Sequence, residues 1–133
     1  MHPRFTVCGG CHIDRQLRFE SRPLPGRTAP ASQSERVGGV ATNIAVRLAA
    51  WNAQTRLVGV QPPQSLDAMK ARLSDAGVDP FLVPLDGEPP SYTAFLGPDG
   101  ELLTGAAAMA LYDSVSAGLL APALAADGDA VIW

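Results

Sequence analysis

Val37-Gly38-Gly39-Val40-Ala41-Thr42-Asn43-Ile44-Ala45-Val46-Arg47-Leu48 decides how this chain is read. Two adjacent glycines come first. Asn43 follows four residues after Gly39, and Ile44, Leu48 and Trp51 recur at helical spacing with Ala45 and Ala49 beside them. The pattern predicts a loop that turns into a helix. Glycine has no Cβ, so a ligand can approach such a loop closely. The first turn of the helix exposes N–H groups and the positive end of the helix dipole. Asn43 could face a ligand held over that helix start. The plainer reading is a flexible loop with Thr42 or Asn43 as N-cap.

Strand and helix patterns alternate on both sides of this stretch. Phe5-Thr6-Val7-Cys8 reads as a buried strand running into Gly9-Gly10. Residues 13–19 carry Ile13, Leu17 and Phe19 with arginines between them, as an exposed strand would. Residues 21–30 hold three prolines and a glycine and must turn; residues 31–37 return, which makes 13–37 a hairpin-like excursion. Arg56–Val60 predicts the next strand. Pro63 can open a helix, because its missing N–H costs nothing there. Leu66, Met69, Ala71 and Leu73 form the apolar face of that helix, and Gly77 stands at its end. Phe81–Val83 reads as another strand. Ser91–Leu96 and Glu101–Thr104 flank Gly97-Pro98-Asp99-Gly100, a hairpin signal. Residues 105–112 are ambiguous. Residues 115–126 read as a helix with Pro122 as a kink or stop, and 130–133 as a final strand. The alternation implies an α/β parallel sheet. A chain that stops inside an apolar strand reads as truncated.

The chain has 133 residues, and its formal net charge is −3. That balance argues against a nucleic-acid binder, which should show a basic face. No apolar run approaches a membrane span, and residues 1–6 lack the apolar core of a secretory signal. The expected compartment is the cytoplasm, with both cysteines reduced. Cys8-Gly9-Gly10-Cys11-His12 nevertheless matches the C-x-x-C-H attachment pattern of c-type haem. Haem attachment belongs outside the cytoplasm, and this motif follows a buried strand. A small c-type haem protein is therefore a remote alternative. Two cysteines and one histidine also fall short of a structural zinc site.

Two stretches together resemble the ribokinase-like (PfkB) family of carbohydrate and nucleoside kinases. Val7-Cys8-Gly9-Gly10-Cys11-His12-Ile13-Asp14 is similar to that family's first strand, Gly-rich turn and substrate-binding Asp. Gly38–Ala45 is similar to its N-terminal signature, in which Gly-Gly and Asn contact substrate hydroxyls. Ser74–Asp79 resembles the segment after the second helix. Ser91–Leu102 resembles the later lid strands, most like those of pseudouridine kinase-like sugar kinases. Three positions depart from the family: Asn52 stands where Gly is usual, Gln61-Pro62-Pro63-Gln64 replaces a Gly-Asp-Asp segment, and His12 stands where Asn is common.

The resemblance implies a Rossmann-like (ribokinase-like) parallel sheet with a small β lid, truncated after the N-terminal half. Residues 1–133 would be the N-terminal part of one such domain, with lid segments at about 13–37 and 91–104. The implied function is the substrate-binding half of an ATP-dependent sugar or nucleoside kinase. His12, Asp14, Gly38, Gly39, Asn43 and Thr93 would be its substrate-binding residues. ATP and Mg2+ are implied as cofactors, and the residues that bind them, like the catalytic Asp, would lie in the missing half. The implied partner is a small sugar or nucleoside, and lid strands carrying Tyr92, Ala94 and Leu96 would pair in a homodimer. A non-catalytic ligand-binding or interaction remnant is the alternative.

Overall fold

The computed structural model describes residues 4–124 and 131–132. The first strand, β1 (Arg4–Cys8), runs into the Gly9-Gly10 turn, and β2 (His12–Phe19) and β3 (Ala31–Gly38) follow. Helix α1 (Val40–Ala50) then leads to β4 (Gln54–Gln61), and α2 (Pro63–Asp75) leads to β5 (Asp79–Pro84). After them come β6 (Ser91–Leu96), β7 (Leu102–Ala108), a 3-10 turn (Ala110–Ser114), α3 (Ala117–Leu124) and β8 (Val131–Ile132).

Two four-stranded sheets result, ordered β5-β4-β1-β8 and β3-β2-β6-β7. The first is parallel throughout. Its neighbouring pairs alternate between faces, as a pleated strand requires. Val7 and Leu57 pack with Ala41, Ala45, Met69, Leu73, Val78 and Leu82, under α1 and α2. Cys8 and Val58, one residue on, pack with Ala123 of α3 on the other face. Connections of constant hand explain the switch. The chain moves from β1 outward through β4 to β5, then returns across β1 to β8, so the later helix covers the opposite face. The strand order reverses beside β1, and in open α/β sheets ligands bind outside the carboxyl ends of the strands at such a switch point.

Both early helices end in the same way. In α2, Gly77 (φ 79°) donates its N–H to Ser74 O, and Val78 donates to Leu73 O; the two side chains share the core. These are the two bonds of a Schellman cap with its hydrophobic contact. In α1, Asn52 donates to Ala49 O and Ala53 to Leu48 O. Asn52 has φ 62°, the one positive φ outside glycine among the described residues. Its short polar side chain tolerates the left-handed conformation, which explains how it stands where the family usually has Gly.

In the second sheet β2 pairs antiparallel with β3 and parallel with β6, and β6 pairs antiparallel with β7. Ile13 and Val37 lean on the main core. Arg15 bonds Glu35 across the strands at 2.8 Å, and Arg72 of α2 reaches the same carboxylate at 3.5 Å. Those exposed pairs contribute little energy, but they fix which face of the second sheet lies toward α2.

Several expectations change. The N-cap of α1 is Gly39, with no side-chain cap, rather than Thr42 or Asn43. Trp51 is 74% exposed at the end of α1 and leaves the core to Ala41, Ala45, Ile44 and Leu48. Ala71 is exposed on α2. The second hairpin strand runs to Ala108, through residues whose pattern is ambiguous. Pro122 lies inside α3, as the sixth of its 8 residues and past the first turn, so the helix forgoes one i→i−4 bond there. The last part of the helix expected at 115–126, and Ala130 and Trp133 of the final strand, lie outside the described residues. Tyr92, Ala94 and Leu96 do not lie on an edge: β6 is interior, and the free edges are β3 and β7.

Leu57 is fully buried between α1 and α2. Leu57→Ala should cost about 2–5 kcal/mol in chemical denaturation, whereas Trp51→Ala should change stability by less than about 0.5 kcal/mol. Asn52→Ala should cost about 1–2 kcal/mol, the strain of a Cβ in the left-handed region, while Asn52→Gly should leave the midpoint unchanged or raised. A neutral Asn52→Ala would show that the cap does not constrain α1.

Candidate functional site

The site forms where β1 ends and α1 begins. Thr42 is fully buried, and its hydroxyl donates to Gly10 O at 3.0 Å, tying the start of α1 to the Gly9-Gly10 turn. Gly39 sits at φ 105° with Gly10 O so close that a Cβ there would collide with it. The backbone at Gly39 therefore demands glycine both by conformation and by space.

Gly38 is the last residue of β3, and its register partner is His12. A Cβ on Gly38 would run into the carboxylate of Asp14. That carboxylate consequently lies against the Gly38 backbone, two residues before α1 begins. Asp14 is held from two sides. His12 Nε2 lies 3.1 Å from Oδ1, and Arg36 Nε lies 3.7 Å from Oδ2. The Asp14 and His12 side chains are 18% and 13% exposed, the Arg36 side chain 70%. Asp14 stands on β2 rather than in a loop, so strand pairing fixes its direction.

The structure thus brings together His12, Asp14, Gly38 and Gly39. Asn43 lies one turn into α1; its N–H bonds Gly39 O at 2.9 Å, and its side chain is exposed. Thr93 is not brought to the cluster. It pairs with Arg15, whereas Tyr92 pairs with Asp14. Side chains alternate along a strand, so Thr93 shares the Arg15 and Glu35 face and Tyr92 shares the Asp14 face. The ring of Tyr92 lies across Gly105 of β7, where a Cβ would strike it.

Beneath the site is a buried polar anchor that sequence reasoning missed. The Cys11 carbonyl accepts two hydrogen bonds, from Gln61 Nε2 at 2.6 Å and from the Tyr112 hydroxyl at 2.9 Å. Cys11 N–H donates to the same hydroxyl oxygen at 2.9 Å. Gln61 is 1% exposed, and its Oε1 accepts from Ser65 Oγ at 2.8 Å. The Gln61-Pro62-Pro63-Gln64 departure thus supplies a brace for the turn. Burial pushes the Tyr112 hydroxyl above its ordinary range; the hydrogen bond with Cys11 opposes it. A hollow of about 230 Å³ opens beside the turn, lined by Gly9, Gly10, Gly59, Val60, Tyr112 and Leu120. A larger one of about 360 Å³ lies at the opposite, amino ends of β1 and β4, away from this cluster.

Both cysteines are buried free thiols. Burial pushes the Cys11 thiol up to about 11 from an ordinary 9.0, with the Thr42 hydroxyl bond pulling the other way. The folded state therefore holds the neutral thiol. Its contribution is complete below about pH 9 and is lost as pH rises toward 11. The loss should reach about 2–3 kcal/mol, at about 1.4 kcal/mol per unit. Denaturant titrations across that range should show the wild type losing more stability than Cys11→Ala; equal losses would show that the thiol is hydrated.

No family model matches the sequence, and no curated protein matches it significantly. Solved structures do match. A carbohydrate kinase from Agrobacterium tumefaciens is 29% identical with a TM-score of 0.77, over 94% of this chain and 43% of that one. The ribokinase from Arabidopsis thaliana complexed with ribose and ATP is 22% identical with a TM-score of 0.59, over 81% of this chain and 36% of that one. The ribokinase from Cryptococcus neoformans var. grubii serotype A in complex with ADP is 23% identical with a TM-score of 0.59, over 80% of this chain and 34% of that one. The chain has the α/β fold of the ribokinase-like kinases and spans less than half the length of these neighbours.

Proposed function

We propose that the chain is the substrate-binding, N-terminal part of an ATP-dependent sugar or nucleoside kinase, most like the pseudouridine kinase-like members. The observation that carries this reading is the Asp14 carboxylate lying against Gly38 beside the start of α1, at the carboxyl end of β1. A sugar presents hydroxyl donors, and a charged acceptor makes the stronger bonds to them. Gly38 makes room for the Asp14 carboxylate and Gly39 for the Gly10 carbonyl, which brings that acceptor to the start of α1, and Asn43 can donate or accept one turn along. Tyr92, on the Asp14 face of β6, suits the apolar side of a sugar better than Thr93 does. The segments 13–37 and 91–104 would act as a lid that closes over the substrate and excludes water.

ATP and Mg2+ supply the transferred phosphoryl group and neutralise its charge. The residues that would hold them, like the catalytic Asp, would lie in the part of the fold that this chain does not span. The isolated chain should bind and not turn over. The alternative reading is a non-catalytic ligand-binding or interaction remnant. Haem attachment gains no support from two buried thiols. No described helix is long and apolar enough to cross a membrane. A cytoplasmic location and a homodimer through the lid strands remain expectations, the edge open to pairing in that sheet being β3 or β7 and not the interior β6.

Calorimetry with ribose, fructose, adenosine and pseudouridine tests the reading. One of them should bind the folded chain, and Asp14→Ala should weaken it by roughly 1.5–3 kcal/mol, the range of a hydrogen bond to a charged group. No binding by any of them, or an unchanged affinity in Asp14→Ala, would sink the assignment. ATP consumption that depends on substrate and is lost in Asp14→Ala would show instead that the chain alone is a complete catalyst.

A further inference from the structure

His12 stands between Asp14 and Tyr112. Its Nε2 lies 3.1 Å from Asp14 Oδ1, and its Nδ1 lies 3.4 Å from the Tyr112 hydroxyl. The rings of His12 and Tyr112 are 6.4 Å apart and tilted by 59°. A carboxylate accepts only, so the ring nitrogen facing Asp14 must carry the proton. The Tyr112 hydroxyl has one proton, and it goes to Cys11 O at 2.9 Å, nearer than His12 Nδ1 at 3.4 Å. Tyr112 therefore stands beside the ring without deciding its tautomer; Asp14 decides it. The charged groups facing this row are Asp14 and, beyond it, Arg36 at 3.7 Å from Oδ2.

We infer that His12 is a positioning residue for Asp14: held as the Nε2–H tautomer, its N–H fixes Oδ1, which leaves Oδ2, on the side of the exposed Arg36, as the acceptor presented to the substrate. The inference rests on the substrate-binding reading of Asp14. Which ring nitrogen carries the proton is set by the partners of the ring, a general device for orienting an imidazole. It also explains how histidine serves where the family often has asparagine: both present an N–H donor to the Asp. Asp14 then offers one oriented oxygen, a narrower demand on the hydroxyl it meets.

The chain has two histidines, so nitrogen-15 spectra of the ring of His12 can be read without crowding. At about pH 8, above the ordinary imidazole range, His12 should be the Nε2–H tautomer with an exchange-protected N–H. Asp14→Ala should abolish that protection and return the ring to a mixture of tautomers. An Nδ1–H ring, or one that Asp14→Ala does not alter, would overturn the inference. This measurement needs no ligand, so a failure to bind sugar would defeat the functional reading and leave the pairing of His12 with Asp14 to be judged on its own. Ribose affinity provides the second arm. His12→Phe should weaken it about tenfold in the wild-type background and add nothing in Asp14→Ala, because coupled residues are non-additive. His12→Asn should recover most of the loss. Equal losses in both backgrounds, or no recovery by His12→Asn, would show that His12 acts on packing and not through Asp14.

Discussion

A single carbonyl pins the two sheets to each other. Cys11 O sits between the last residue of β1 and the first of β2, where the chain leaves the parallel sheet for the mixed one. It accepts from Gln61 at the end of β4 and from Tyr112 after β7. Left unpaired, a buried carbonyl would cost on the order of 1–3 kcal/mol; paired twice, it fixes the turn from both sides. Because the first residues of β2 are set by that turn, so are His12 and Asp14. The proposed binding site is thus an outgrowth of a backbone constraint, and its precision depends on groups that never reach a substrate.

Close packing of glycine backbone does the remaining positioning. Gly39 fills the space beside Gly10 O, and Gly38 fills the space beside the Asp14 carboxylate. The Thr42 hydroxyl closes the same gap from the helix side. Two of these contacts hold the start of α1 to the Gly9-Gly10 turn, and the third holds the end of β3 against Asp14. Such a cradle is rigid before any ligand arrives, which lowers the ordering cost of binding. The exposed Arg36 and Asn43 side chains are the adaptable part.

Local signals were legible in proportion to how local their physics is. Pro63 opens α2, Gly77 closes it, and Gly97-Pro98-Asp99-Gly100 turns between β6 and β7, each through bonds made within a few residues. The glycine pair before α1 was legible too, though the cap belongs to Gly39 itself. Non-local pairing was not. Nothing in Ser91–Leu96 announces a parallel partner at Ile13–Arg18, so β6 looked like an edge and Thr93 looked as eligible as Tyr92. Only the register decides which of two alternating side chains shares a face with Asp14. Tyr112 was invisible for the same reason: its partner, Cys11, is on the far side of the chain. Gln61 looked like a loss against the family pattern, because its partner is a backbone atom that no motif records.

The order of strands in the second sheet also has a consequence for synthesis. β2 meets β3 soon after it leaves the ribosome, but its other edge waits for β6, and the Cys11 carbonyl waits for Tyr112. Until those arrive, a two-stranded ribbon stands alone, and such ribbons are marginal in water. Its open side, from Ile13 to Arg18, is a template for any passing strand. Long-range pairings form slowly, because loop closure comes before the contacts that reward it. The nascent chain is therefore most exposed to misassembly in the interval between Gly38 and Ser91, and the arginines at 15 and 18 and the glutamate at 35 charge that ribbon while it waits.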